Sequence, residues 1–226
     1  MTAVVYFAIA LFAPSIALAA PISVGGFTFA DGETAFADDV SVVSDAGLRF
    51  DCTAGGTAAT SSAQALSGSD ITQCVNVVGG GSGILEVLFS DNSILNGAGT
   101  DLVIFEVSGP QATGTADAQE RFAVSVFDGA SFSPFVSVDP VATGFHTPDP
   151  TLDIFAVQID LSAFGVASGA AVDRVRLHLF DNGLGSKGAD IVALGALNSA
   201  PAVPEPSVAV LLLVGVAARR LTRRCS

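Results

Sequence analysis

Short apolar segments separated by turn-forming residues recur through the middle of the chain, and several alternate apolar with polar positions. The clearest case is 172–180, where three apolar residues alternate with Arg174, Arg176 and His178. A period of two places alternate side chains on opposite faces of a strand. The predicted strands are 26–30, 84–89, 102–107, 122–127, 135–138, 154–160, 172–180 and 191–197.

This pattern predicts an all-β protein. No long segment repeats its apolar residues with the 3.6-residue period of a helix, and only 161–165 predicts a short helical turn. Many short strands with turn signals between them are typical of an antiparallel β-sandwich, here of the jelly-roll-like kind. The length of 21–200 suits one domain.

The N-terminal segment 1–20 is apolar, rich in small side chains and free of acids and bases. Ala17 and Ala19 fit the small-x-small pattern of a signal-peptidase site, which predicts cleavage near Ala19 or Ala20. We therefore expect a signal helix at 1–20, signal peptidase as a partner, and export of the chain.

The C-terminal segment 201–226 has three parts in order: a proline-bounded triplet, an apolar run and a basic cluster. They are Val203, Pro204, Glu205 and Pro206, then 208–218, then Arg219, Arg220, Arg223 and Arg224. The prolines keep the triplet extended, and the arginines hold the end of the run on the cytoplasmic side of a membrane. The run predicts a hydrophobic helix shorter than the about 20 residues that a bilayer needs.

This order of residues resembles the PEP-CTERM sorting domain of exported proteins of Gram-negative bacteria. The resemblance implies transient anchoring in the inner membrane. It also implies cleavage near Pro204 by an exosortase-type membrane enzyme, followed by release to the cell surface or the extracellular space. The alternative is an ordinary tail in which the triplet occurs by chance.

The net charge of −13 restricts the partners of the chain. Nucleic-acid binding needs a basic surface to neutralise phosphates, so nucleic acid is excluded as a partner. An acidic exported protein is either a soluble surface protein or one that binds Ca²⁺. Of the three cysteines, Cys52 and Cys74 can pair in an oxidising compartment, whereas Cys225 follows the basic cluster.

Three blocks in the second half of the chain share a further likeness. A Gly97-x-Gly99-x-Asp101 turn leads into a strand that ends in Glu106, and 121–129 and 188–197 follow. This order resembles exported bacterial β-sandwich domains of the galactose-binding-like or discoidin-like kind. Val192 departs from it, because that family pattern has a second Asp at this position.

Asp91, Asp101 and Glu106 are the candidate metal ligands. Carboxylates beside a glycine-rich turn offer Ca²⁺ the hard oxygen ligands that it prefers, and acidity and the resemblance both point to that ion. The other interpretation is a glycine-rich turn entering a strand, in which Asp101 hydrogen-bonds its own loop. Similarly, 181–183 and 188–190, which flank Lys187, either form a second oxygen-rich site or make a long hairpin turn.

The stripe of Arg174, Arg176 and His178 has two interpretations as well. It either binds an acidic polysaccharide or pairs with carboxylates on neighbouring strands. Enzyme chemistry has little support, because the only two histidines share no motif and no nucleophile elbow, metal motif or phosphate loop is present. Sugar binding is disfavoured because the chain has no Trp and its one Tyr, Tyr6, lies in the signal segment.

The leading hypothesis is therefore a non-catalytic, exported cell-surface or extracellular-matrix protein with an acidic β-sandwich body. A polysaccharide-binding module is the alternative, and an exported hydrolase comes third. No cofactor is certain from the sequence, and Ca²⁺ is the candidate.

Overall fold

The computed structural model describes residues 19–108, 120–149, 152–181 and 188–201. Fourteen strands account for most of them. They are β1 Ile22–Val24, β2 Phe27–Phe29, β3 Asp39–Thr53, β4 Gln73–Leu88, β5 Asn92–Leu95, β6 Leu102–Ser108, β7 Phe122–Val126, β8 Val136–Val138, β9 Val141–His146, β10 Asp153–Ile159, β11 Ala171–Val172, β12 Arg174–Phe180, β13 Ile191–Ala196 and β14 Ser199–Pro201. The described helices are short: α1 at Ser62–Leu66 and two 3₁₀ turns at Gly32–Ala35 and Leu161–Phe164.

A long hairpin, β3–β4, joins two antiparallel layers. The second half of β4 pairs with β12, which continues through β7 to β8; we call this layer the outer sheet. Near its start, β4 pairs with β13 at Val75, and the sheet continues through β6 and β10 to β9; this is the inner sheet. The predicted antiparallel all-β sandwich is thus confirmed.

The main core lies between the two sheets. Val175, Leu177 and Leu179 of β12 are buried there as the alternation predicts, against Leu102 and Ile104 of β6. Each fully buried aliphatic side chain of this kind contributes about 1.5–3 kcal/mol through the hydrophobic effect. The opposite face of β12 carries the arginine stripe and remains partly exposed.

A second core covers the other face of the inner sheet. The β1–β2 hairpin and the first 3₁₀ turn place Phe29 and Phe36 over Phe105 of β6, with ring centroids of Phe29 and Phe105 6.1 Å apart. Gly195 of β13 lies beneath these rings, and a Cβ there would stand 2.5 Å from a ring carbon of Phe29. The central strands β6 and β13 of the inner sheet are therefore buried on both faces, which explains the nearly continuous apolar run of β6.

The structure also shows what the pattern missed. The strands that were not predicted are β1, β3, the first part of β4, β5, edge strand β9 and β14. The helix α1, whose N-cap is Ser61, was not predicted either. The helical turn predicted at 161–165 is confirmed as a 3₁₀ turn. Among the described residues no helix is long and apolar enough to cross a bilayer. Residues 1–18 and 202–226, which carry most of the signal segment and all of the sorting signal, lie outside the described residues.

Candidate functional site

Asp101 is a structural group at the corner where β6 begins. Its carboxylate is fully buried and accepts hydrogen bonds from the Gly97 amide at 2.8 Å, the Leu161 amide at 2.9 Å and the side-chain amide of Asn198 at 2.8 Å. These donors come from three loops. The interpretation in which Asp101 hydrogen-bonds its own loop matches this geometry, and two more distant segments join it.

Glu106 has different surroundings. It lies near the end of β6, between Phe155 of β10 and Ile191 of β13 in the sheet registers, and its side chain has no exposed surface. Neither carboxylate oxygen has a hydrogen-bond partner in the part of the chain that the structure describes. Burial, first, and then the negative charges of Glu120 and Asp190 raise the pKa of Glu106 well above its ordinary value.

Asp91 lies apart from both, in the loop before β5. Its backbone amide and that of Ser90 donate to Asp38, and both acids are at the surface. Partial burial and the neighbouring Asp38 raise the pKa of Asp91. The structure does not gather Asp91, Asp101 and Glu106 into one group: among the described residues, the only cluster of three ligand-type side chains is Cys52, Cys74 and Asp190.

Cys52 and Cys74 form a disulfide that crosslinks β3 to β4, with their Cα atoms 5.3 Å apart. Because both sulfurs are bonded to each other, they offer no thiolate to a metal. The cluster with Asp190 is thus a packing contact around the crosslink. Ala19 and Ala20, the predicted cleavage residues, are exposed in an irregular segment before β1, and Ala17 lies outside the described residues.

The arginine stripe on the outer sheet is satisfied by its neighbours. Arg176 and Arg174 both reach Glu86, the residue opposite Arg176 on β4, at 2.8 and 4.0 Å. The guanidinium group of Arg174 also stacks over the ring of Phe127 at 3.8 Å, and that of Arg176 over the ring of Phe132 at 3.7 Å. Pairing with a carboxylate on the neighbouring strand is therefore confirmed, and each of the two arginines has a carboxylate partner.

A groove lies between the turn joining β1 to β2 and the edge strand β9. Two clefts of about 290 and 510 Å³ meet there at Gly25 and Phe145. Phe145 is 51% exposed although it stands on a strand. Gly26 presses against this ring so closely that a Cβ would lie 2.6 Å from a ring carbon. We call this feature the Phe145 groove.

Polar groups line the Phe145 groove around that apolar centre. His146 directs Nδ1 at Asp153, 2.6 Å away, while more than half of its side chain remains exposed. Glu33 accepts from the hydroxyl and amide of Ser69 at 2.6 and 3.2 Å. The exposed Gln158 accepts at its side-chain oxygen from Thr100. An aromatic face with polar groups at its rim is the usual composition of a small-ligand site.

Sequence reasoning did not find this groove. Its walls come from segments that are far apart along the chain, at 22–33, 69–71 and 141–158. Strand β9 was not predicted because its six residues are nearly all exposed and show no alternation. The one available signal was Phe145 itself, a large aromatic residue between Gly144 and His146.

No protein-family model matches the sequence, and no curated protein matches it significantly. Twelve chains of solved structures do match. One is chitosan-binding module 1 of a chitosanase/glucanase from Paenibacillus sp. IK-5, at 12% identity and a TM-score of 0.35, covering 73% of this chain and 97% of that chain. Another is TmCBM61 in complex with β-1,4-galactotriose, at 16% identity and a TM-score of 0.26, covering 60% and 74%. Likenesses this distant do not establish a shared site, so the ligand is inferred from the groove.

Proposed function

We propose that this chain is an exported, non-catalytic protein that binds a polysaccharide in the Phe145 groove. The observation that carries the proposal is a half-exposed aromatic ring on an edge strand, at the meeting point of two clefts. A flat ring with one free face stacks on the apolar face of a sugar. With neither Trp nor Tyr in the domain, Phe is the residue left for this task.

The rim of the groove supplies the polar half of the recognition. Sugar hydroxyls both donate and accept, so they suit the exposed amide of Gln158 and the outward nitrogen of His146, whose other nitrogen faces Asp153. Gly25 and Gly26 have positive φ angles of 54° and 86°, which allows the tight turn to form one wall without side chains in the way.

Charge narrows the class of polysaccharide. The chain carries a net charge of −13, and Glu33 and Asp153 stand at the groove or beside it. A polyanionic glycan would be repelled by this field. We therefore expect a neutral or amine-bearing saccharide as the ligand. Acidic polysaccharide, the ligand considered for the arginine stripe, is disfavoured because Glu86 and Asp173 already pair with the two arginines.

The test is binding to a panel of neutral, amine-bearing and acidic polysaccharides by affinity electrophoresis. A polysaccharide that binds the protein slows its migration through the gel. Replacing Phe145 by Ala should abolish this retardation, because the ring that stacks on the sugar is lost. The matched control is Phe135→Ala, which removes a comparably exposed ring (41%) outside the groove. Equal retardation of wild type and Phe145→Ala, or a loss caused equally by Phe135→Ala, would reject the groove as the binding site. If incubation with the polysaccharide released shorter saccharides, the protein would instead be a hydrolase, the third hypothesis from the sequence.

Export is the second part of the proposal. The Cys52–Cys74 disulfide supports it, because such bonds persist in oxidising compartments and are rare in the cytosol. The sequence of 1–20 supports cleavage near Ala20 by signal peptidase. The Pro204-Glu205-Pro206 triplet, apolar run and arginines support transient anchoring and exosortase processing. Cell surface or extracellular matrix is then where the protein would bind polysaccharide.

Intact mass of the protein recovered from its host's envelope and medium tests this processing. We expect a chain trimmed at both ends, near Ala20 and near Pro204. A C-terminus that is complete through Ser226 in both fractions would reject the exosortase step and leave glycan binding untouched, so the two parts of the proposal can fail separately.

A further inference from the structure

The buried carboxylate of Glu106 has nothing in the described structure to stabilise a negative charge. Both of its oxygens are enclosed and have no hydrogen-bond partner among the described residues. No ion pair joins Glu106 to a basic side chain in the parts of the chain that the structure describes. Burying an ionised carboxylate without a partner is very costly, so such a group either keeps its proton or meets a positive charge.

The surroundings of Glu106 supply oxygens and negative charge. The amide of Val107 donates to the backbone oxygen of Asp190 at 3.0 Å, which fixes Asp190 beside the end of β6. Glu120 and Asp190 both act on Glu106 as negative charges. Asn76, itself buried, donates its side-chain amide to Asp190 and has a side-chain oxygen left without a partner.

These groups favour one kind of ligand. Carboxylate and amide oxygens are hard donors, and Ca²⁺ takes six to eight of them at about 2.3–2.6 Å in a flexible geometry. The nearby sulfurs of Cys52 and Cys74 are held in a disulfide, so a thiolate-seeking metal finds no ligand here. One divalent cation would satisfy the orphaned oxygens and cancel the mutual repulsion of the acids in a single step.

We propose that Glu106, with Asp190, Glu120 and the side-chain oxygen of Asn76 around it, binds a Ca²⁺ ion at the end of the inner sheet. The three carboxylates do not all lie within 4.8 Å of one another in the structure. Binding therefore draws these side chains together or leaves one acid in contact through a water molecule. The ion fixes the junction of β6, β13 and β4, and its role is structural.

The test uses the full chain purified after export, so that the disulfide is retained, and compares melting temperatures in EDTA, CaCl₂ and MgCl₂. At a Ca²⁺ concentration about 100 times the Kd, we expect a rise of roughly 5–10 °C over EDTA. Glu106→Gln should lose most of this rise while remaining folded in EDTA, because a glutamine has the shape of the neutral acid. Asp91→Asn, which removes an exposed acid outside the cluster, should keep all of it.

A second measurement detects the proton that Glu106 releases when the ion binds. Calorimetric titration of Ca²⁺ in two buffers with different ionisation heats should show proton release by the wild type, since the ion displaces the proton of Glu106. Glu120→Gln should weaken binding at least tenfold, and it serves if Glu106→Gln does not fold. Equal melting temperatures of the wild type in Ca²⁺ and EDTA would overturn the proposal and identify Glu106 as a neutral buried acid. Equal rises in wild type and Glu106→Gln would overturn it by placing the ion elsewhere.

Discussion

Asp101 and Glu106 stand five positions apart, at the start and near the end of the same buried strand, and both side chains are fully enclosed. One carboxylate accepts three hydrogen bonds, and the other accepts none. Burial is therefore the same for both, and only the supply of donors differs.

The position along the strand explains the difference. Inside a sheet, the backbone amides on both sides of Glu106 are used by the ladders with β10 and β13. Asp101 precedes the ladder, where loops from three parts of the chain end and have free amides to donate. A carboxylate at a sheet corner can be satisfied by the backbone, whereas one within a central strand needs a side chain, a proton or an ion.

The largest effect is expected for Asp101→Ala. It leaves the buried Leu161 amide without an acceptor, and a buried orphan of this kind costs about 1–3 kcal/mol. The exposed Gly97 amide and the half-buried Asn198 amide also lose their acceptor, at a smaller cost because water reaches them. We expect the free energy of unfolding in urea to fall by about 2–4 kcal/mol. A loss below 1 kcal/mol would mean that the corner does not depend on this carboxylate.

Glu106→Gln should stabilise the protein when no divalent cation is present, in contrast to Asp101→Ala. The folded-state pKa of Glu106 is raised above its ordinary 4.5, so the folded protein binds the proton more tightly than the unfolded chain. The stability that this gives is present below about pH 4.5 and is lost as the pH rises through the folded-state pKa.

Glu106→Gln removes this pH-dependent loss of stability, because glutamine does not ionise. In EDTA at pH 8, we expect Glu106→Gln to melt a few degrees above wild type, on the order of 2–4 °C per kcal/mol for a chain of this size. At pH 4 the two should melt together, and scanning calorimetry at the two pH values is the measurement. A variant less stable than wild type at pH 8 in EDTA would show that the charged form is paired.

A smaller loss is expected for Asn198→Ala. This change removes one of the three donors to Asp101 but leaves the two backbone amides in place. The net value of one such hydrogen bond is about 1 kcal/mol, so urea unfolding should show a loss of roughly that size. A loss equal to that of Asp101→Ala would mean that the asparagine, rather than the backbone, satisfies the corner.

The smallest effect is expected for Asp91→Asn. Asp91 is exposed beside Asp38, and its raised pKa comes from partial burial and then from that neighbour. Removing one of two like charges at the surface changes stability by less than about 0.5 kcal/mol. A loss of several kcal/mol in urea unfolding would contradict the solvated environment that the structure gives it.

The sequence was sufficient to predict the strands in which apolar and polar residues alternate. The faces of β12 followed directly from its period of two. The shared hairpin was missed because β3 and the start of β4 are rich in Ser, Asp and Gly, and β-structure there is imposed by pairing with each other.

The candidate site shows the same limit. Asp101 and Glu106 were both identified as special residues, but their separate roles depend on which strands flank β6. The donors to Asp101 include Leu161 and Asn198, which are far from it along the chain. Neither the partners of one carboxylate nor the isolation of the other could be deduced from local pattern.

The shared β3–β4 hairpin has a consequence for how the protein unfolds. Because β4 pairs with β12 in one layer and with β13 in the other, and β3 pairs along β4, neither layer can detach without breaking the pairing of β4. Thermal unfolding should then be cooperative: probes in the two layers should report one transition with a single midpoint, as in other two-state domains.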